Sequence, residues 1–136
     1  MTDERADWAV FFDEGRAYHR TAQRSVRRPT VFTPAIIQGV AAMSIEKYFM
    51  ALFLRRGSLP RNHTLRDLVE ETRDFARIDP SLEETLLFMD SLQRICSLDH
   101  FEVVEPSVAD VPRFLGAIDR VAAFVEAEIG AMGEGG

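Results

Sequence analysis

The chain has 136 residues, of which 46% are hydrophobic, and its formal net charge at pH 7 is −6. This length corresponds to one domain with room for a hydrophobic core, and the apolar content excludes a disordered chain. The negative charge argues against general coating of nucleic acid, because phosphate binding depends on a cationic surface.

The charge is distributed unevenly along the chain. Residues 1–73 contain 12 basic and 9 acidic side chains, whereas residues 74–136 contain 4 basic and 13 acidic ones. The first part can therefore face an anion that the second part repels. The single cysteine, Cys96, cannot form an internal disulfide, and the N-terminus has no apolar signal core. Both features predict a cytoplasmic protein.

The first two predicted elements are long helices. Apolar residues recur at helical spacing between Asp7 and Arg27, which predicts the first helix. Thr33 is a good N-cap for a second helix, which ends at Gly57 and is apolar on most sides. Such a helix is expected at the centre of a bundle. Its apolar stretch is interrupted by Gln38, Glu46 and Lys47, so we expect no membrane span.

Capping patterns predict where the next two helices begin. The third opens at a Thr-x-x-Asp pattern that starts with Thr64, and it runs to Ile78 before an Asp-Pro pair. The fourth opens at a Ser-x-x-Glu capping box that starts with Ser81, and it runs to Ile95.

The last part of the chain combines an irregular segment and one more helix. Residues 96–112 have no clear period, and a fifth helix is predicted over 113–129. Residues 1–6 and 131–136 are expected to be frayed tails. The sequence thus predicts one domain over 1–136, an all-α, antiparallel up-and-down bundle of about five helices.

The centre of the chain resembles the signature of the HEPN domain family. The segment is AAMSIEKYFMALFLRRGSLPRNHTLRDLVEE, and the resemblance in helix order and loop length extends from Asp7 to Ile129. The matching positions are Ala41, Ala42, Glu46, Lys47, Gly57, His63, Leu65 and Leu68. The resemblance implies a helical bundle that is usually a homodimer. Many members are metal-independent ribonucleases, often toxins with a small nucleotidyltransferase-like antitoxin partner, and others are inactive binding modules.

The family's catalytic signature is an arginine followed, after four to six residues, by a histidine late in the chain. Arg94 and His100 have this spacing, with five residues between them. On an intact helix the two side chains would lie on different faces, so they converge only if the helix ends between them. Asp99 is a possible accessory residue of this site: beside His100 it would either orient the imidazole or repel the phosphate. Ile95 departs from the pattern, because active members often have a polar residue directly after the arginine.

A second pair, Arg56 and His63, has similar spacing, but it lies across the Gly57 loop. His63 is therefore only a possible accessory residue of the catalytic site. Lys47, the one lysine, is a further possible accessory residue. It lies in the middle of the apolar second helix, and we expect it to pair with an acidic group on another helix or subunit.

The first helix carries a basic ridge. The side chains of Arg16, Arg20, Arg24 and Arg27 project onto one side of this helix. The ridge is either a solvated face or a binding surface for RNA, an anionic ligand or the acidic half of a second subunit. His19 falls on the apolar face, which is typical of a packing or interface histidine.

The expected function has two versions. The first is a metal-independent RNA endonuclease of toxin–antitoxin or defence type that uses Arg94 and His100. The alternative is a non-catalytic HEPN-like dimerisation module that binds a nucleotide or a nucleotidyltransferase-like partner, and a plain helical adaptor is a third possibility. No metal site and no cofactor are expected, because His19, His63 and His100 lack ligand spacing and no Gly-rich phosphate loop occurs.

Overall fold

The computed structural model describes the backbone of residues 4–98 and 105–133, and the side chains of residues 7–92 and 105–133. Within these ranges the chain is all-helical. The elements are α1 (Glu4–Ser25), α2 (Pro34–Arg55), α3 (Leu65–Thr72), α4 (Pro80–Leu98), a short 3₁₀ turn (Val108–Asp110) and α5 (Val111–Ala131). The predicted all-α bundle of five helices is confirmed.

The four long helices alternate in direction. α1 and α2 run antiparallel, since Lys47 of α2 lies over Phe11 of α1, whereas the earlier α2 residue Ser44 donates to the carbonyl of the later α1 residue Gly15. α2 and α5 run in the same direction, because Arg55 at the end of α2 donates to the carbonyl of Gly133 beyond the end of α5. α4 and α5 are antiparallel, since Asp79 at the start of α4 accepts from Arg120, whereas Thr85, later in α4, accepts from Arg113, earlier in α5. This is the predicted up-and-down arrangement, with α3 as a short connector.

α2 is the central helix, as predicted. It packs against α1, α3 and α5, and twelve of its residues are buried, including Ile45, Tyr48 and Phe49. α2 is also the one described helix that is long and apolar enough to cross a membrane, with a mean hydropathy of 1.3. However, 67% of that stretch is buried inside the bundle, and the core helix of a bundle meets the same criterion.

The end of α2 requires a glycine. Gly57 has φ of +80°, a left-handed conformation that glycine adopts without a Cβ clash. Its N–H donates to the carbonyl of Leu54, and the N–H of Ser58 donates to the carbonyl of Phe53, both at 2.9 Å. These two bonds form a Schellman motif, so the predicted helix end at Gly57 is confirmed.

α3 is shorter than predicted. It ends at Thr72 rather than Ile78, and the chain then turns so that Ile78 is buried. Phe75 packs edge-on against Phe53 of α2, with Arg56 stacked 3.7 Å above the Phe75 ring. These contacts with α2 explain why tertiary packing outweighs the helical periodicity of residues 73–78.

α4 begins two residues earlier than predicted. The Asp-Pro pair that was expected only to end α3 opens α4, with Pro80 at the first helical position. The Asp79 carboxylate accepts a hydrogen bond of 2.9 Å from the N–H of Ser81, so the cap is Asp79 and not Ser81. α4 then continues to Leu98, three residues beyond its predicted end.

Candidate functional site

The Arg94–His100 pair falls mainly outside the described residues. The backbone of Arg94 belongs to α4, but its side chain lies outside the described part of the chain. Asp99 and His100 lie wholly outside it. The catalytic pair therefore stays a prediction.

The predicted basic ridge lies on the outside of the bundle. Arg16, Arg20 and Arg24 are exposed and follow one another at four-residue intervals on α1. Arg27 is exposed too, but it lies in the turn after α1, because the helix ends at Ser25. Among the described side chains, none of the four forms an ion pair with a carboxylate.

Other basic residues of the bundle do have partners. Arg73 pairs with Glu83 and Arg120 pairs with Asp79, each at 2.9 Å. Residues 15–45 contain five arginines and no aspartate or glutamate, so the ridge arginines have no acidic neighbours later on α1 or in the turn that follows it. The ridge therefore presents guanidinium groups that retain their capacity for charge-assisted hydrogen bonds to phosphate.

A cleft lies at the end of the ridge, where α1 turns into α2. We call it the corner cleft. Its volume is about 350 Å³, and its lining includes Thr21, Arg24, Arg27, Arg28 and Phe32. The turn is held by hydrogen bonds from the N–H groups of Val31 and Phe32 to the carbonyl of Arg28, at 3.0 and 2.9 Å. Three arginines and an aromatic ring thus border one cleft.

A chain of polar side chains connects three helices beneath the ridge. Nδ1 of His19 in α1 lies 3.0 Å from the hydroxyl of Tyr48 in α2, and its Nε2 lies 2.7 Å from Oδ1 of Asp119 in α5. A neutral imidazole protonated at Nε2 satisfies both contacts: Tyr48 donates to Nδ1, and Nε2–H donates to Asp119. His19 is therefore a satisfied packing residue, one of the two roles expected from its place on the apolar face.

Tyr48 is buried and uncharged. Its side chain is 1% exposed, and this burial, aided by the negative charge of Glu126, raises its pKa to about 12. The positive charges of Arg16 and Arg20 act in the opposite direction. Tyr48 thus remains protonated at neutral pH and can act as the donor to His19. It has no access to a substrate, so its role is to hold α1 against α2.

The two remaining accessory candidates have structural partners. Lys47 lies 3.0 Å from Glu14 of α1 and over the ring of Phe11, as expected for a lysine that pairs with another helix. Nδ1 of His63 lies 3.2 Å from Glu46. No cluster of three metal-ligating side chains occurs in the part of the chain that the structure describes.

Fold and surface together define an all-α helical bundle with an exposed arginine face on its first helix. No protein-family model matches the chain, and no curated protein sequence matches it. The chain is similar in structure to TT1696 from Thermus thermophilus, whose crystal structure superposes with a TM-score of 0.71 at 20% identity. The similarity covers 93% of this chain and 99% of TT1696. At this identity it supports the fold alone.

Sequence reasoning did not identify every residue of this region. The contribution of Arg28, Thr21 and Phe32 to a cleft was missed, because only the turn after α1 brings them together. The run of 31 residues without an acidic side chain was the signal that could have included Arg28. Asp119 lies 100 positions from His19, and no local pattern links the two.

Proposed function

We propose that this protein is a HEPN-like, metal-independent RNA endonuclease that binds RNA along the basic ridge of α1. The observation that carries the proposal is the set of exposed arginines without carboxylate partners among the described residues, Arg16, Arg20, Arg24 and Arg27. Guanidinium groups spaced by one helical turn can follow a phosphate backbone. The chain segment that carries the ridge is positively charged, because residues 15–45 contain five arginines and no acidic side chain.

In this proposal Arg94 and His100 carry out the chemistry. In its neutral form the histidine accepts the proton of the RNA 2′-hydroxyl as that oxygen attacks the adjacent phosphorus; in its protonated form it donates a proton to the 5′-oxygen that leaves. The guanidinium of Arg94 binds the phosphate and stabilises the charge that develops on it. The family resemblance supports these roles, since it matches the two residues in type, spacing and position.

The alternative is a non-catalytic dimerisation module, and exposed apolar side chains on the surface of α2 support this alternative. Ile36 and Met43 are exposed and Val40 is half-buried, and helical spacing places the three on one side of α2. A second copy of the chain is the partner that we propose for this apolar stripe, which agrees with the dimers that the resemblance implies. A nucleotidyltransferase-like partner belongs to the same alternative.

RNA binding provides the test. The double variant Arg20→Glu/Arg24→Glu should weaken binding of a single-stranded RNA and flatten its salt dependence. Each lost phosphate contact lowers the slope of log K against log salt by roughly 0.7. Arg77→Glu is the charge control, because Arg77 is exposed and lies in the α3–α4 connection, away from the ridge. It changes the net charge by −2, and the double variant changes it by −4.

The comparison between the variants decides the outcome. Unchanged affinity and slope in the double variant would make the ridge a solvated face and remove the basis of the proposal. A free-energy loss in Arg77→Glu of half that in the double variant, or more, would mean that only net charge matters. Circular dichroism spectra of the wild type and the variants should be superimposable, which checks that the fold is retained.

A further inference from the structure

The corner cleft differs from the rest of the basic ridge in being concave. The ridge is a convex helix face, whereas the cleft is an open depression of about 350 Å³ between the last turn of α1 and the turn that leads into α2. This volume is at the small end of the roughly 300–1,000 Å³ that is typical of small-molecule sites. It is therefore of a size for one small ligand.

The charge of the cleft selects an anion. Arg24, Arg27 and Arg28 all border it, no acidic residue is part of its described lining, and none occurs between residues 15 and 45. Guanidinium groups bind phosphate with two parallel hydrogen bonds, and the hydroxyl of Thr21 is one more donor. The three arginines are all exposed, so a ligand reaches them from solvent.

The aromatic ring of Phe32 adds a second recognition element. Phe32 is half-buried, and its position is set by the hydrogen bond from its N–H to the carbonyl of Arg28. Any nucleobase can stack on an aromatic ring, because every base has a π-face. An acidic peptide would use the arginines but would gain little from this ring.

We infer that the corner cleft binds one nucleoside monophosphate unit, with its phosphate on Arg24, Arg27 and Arg28 and its base against Phe32. The unit is a free nucleotide or the phosphorylated end of an RNA strand. This inference rests on the proposed function, because it names a subsite at the end of the RNA-binding ridge.

Binding to small probes tests the cleft separately from the ridge. Calorimetric titrations use AMP, adenosine, inorganic phosphate and a hexaglutamate peptide. Wild-type protein should bind AMP more tightly than adenosine or phosphate. Arg28→Gln should weaken AMP binding about tenfold or more, through the loss of charge-assisted hydrogen bonds. Phe32→Ala should weaken AMP binding about fivefold or more but leave phosphate binding unchanged.

Arg20→Gln is the control, since Arg20 belongs to the ridge and is not part of the cleft lining. It should weaken RNA binding and leave AMP binding unchanged. RNA oligonucleotides with a 5′-phosphate, a 3′-phosphate or no terminal phosphate then show whether the bound unit is a free nucleotide or the end of an RNA strand. If one phosphorylated oligonucleotide binds more tightly and Arg28→Gln abolishes this advantage, the cleft binds that end of an RNA strand. If the three oligonucleotides bind equally, the cleft binds free nucleotides.

Three results would overturn the inference: equal AMP affinity in wild type and Arg28→Gln, equal binding of AMP and phosphate, or tighter binding of hexaglutamate than of AMP. In each of these cases the ridge can still bind RNA, and the proposed function is judged by the Arg20→Glu/Arg24→Glu variant. If that variant retains full RNA binding, the proposed function fails whether or not AMP binds.

Discussion

The hydroxyl of Tyr48 lies 3.0 Å from Nδ1 of His19, and this contact joins the buried side of α2 to α1. Nε2 of His19 continues the connection to Asp119 of α5, so one imidazole ties three helices together. Phe12 of α1 packs edge-on against the Tyr48 ring, with centroids 5.2 Å apart. Tyr48 is thereby held by polar and apolar contacts to the helix that carries the basic ridge.

The raised pKa of Tyr48 predicts a loss of stability in alkali. Well below pH 10, the ordinary pKa of tyrosine, the residue is protonated in the folded and the unfolded chain alike. Between pH 10 and about 12 the unfolded chain loses this proton while the folded protein retains it, so the free energy of unfolding falls as pH rises. At about 1.4 kcal/mol per pH unit the fall is at most about 3 kcal/mol.

Urea denaturation at a series of alkaline pH values measures this fall. Tyr48→Phe should reduce the slope of stability against pH between pH 10 and 12, because it removes the titrating hydroxyl. It should also lower stability at neutral pH, since His19 loses its donor. Parallel slopes for wild type and variant would show that Tyr48 does not titrate as described.

Two glycines in helices should respond in opposite ways to alanine. A Cβ on Gly15 would lie 3.1 Å from the ring of Tyr48, which His19 and Phe12 keep in place. We expect Gly15→Ala to destabilise the protein by about 1–3 kcal/mol through overpacking. A Cβ on Gly116 in α5 meets nothing within 4 Å. Gly116→Ala should be neutral or stabilise by up to about 1 kcal/mol, because alanine favours a helix. Urea denaturation of both variants checks the difference in sign.

The cap of α4 is tested by a pair of neighbouring variants. Asp79 and Ser81 both accept a hydrogen bond from Arg120, but only Asp79 also accepts one from the backbone N–H of Ser81. This bond is the main reason why the pKa of Asp79 lies below its usual range. Asp79→Ala should therefore lower the melting temperature more than Ser81→Ala does. The reverse order would favour a Ser81 capping box.

The catalytic hypothesis predicts a large effect of one histidine. His100→Ala should reduce RNA cleavage at least about a hundredfold, the effect typical of a general acid–base group. His63→Ala is the control, because the second Arg–His pair has structural partners: His63 pairs with Glu46, and Arg56 is stacked on Phe75. Cleavage should resist chelators and give 2′,3′-cyclic phosphate ends. Equal cleavage by wild type and His100→Ala would leave the dimerisation module as the better proposal.

The apolar stripe on α2 predicts a homodimer. Light scattering at micromolar concentration should give about twice the chain mass of 15.4 kDa. Met43 is 40% exposed on this stripe, and Met43→Glu should shift the protein to the monomer, because a charge is costly in an apolar interface. Val108→Glu changes a side chain that is 77% exposed before α5 and should have no effect. A monomeric wild type would contradict the prediction.

The sequence by itself determined the helical architecture. The spacing of apolar residues, Thr33 and Thr64 as N-caps and Gly57 as a helix end are local signals, and each acts through hydrogen bonds within a few residues. The almost uniformly apolar α2 could occupy only the centre of the bundle. The ridge of Arg16, Arg20 and Arg24 was visible for the same reason, since side chains four residues apart share one side of a helix.

Only the tertiary structure decided where α3 stops, which residue caps α4, and which side chains border the corner cleft. Phe75 leaves the helical path because it packs against Phe53 of α2. His19, Tyr48 and Asp119 meet although they come from three different helices. Such outcomes depend on contacts between residues that are far apart in the chain, and local periodicity contains no information about these contacts.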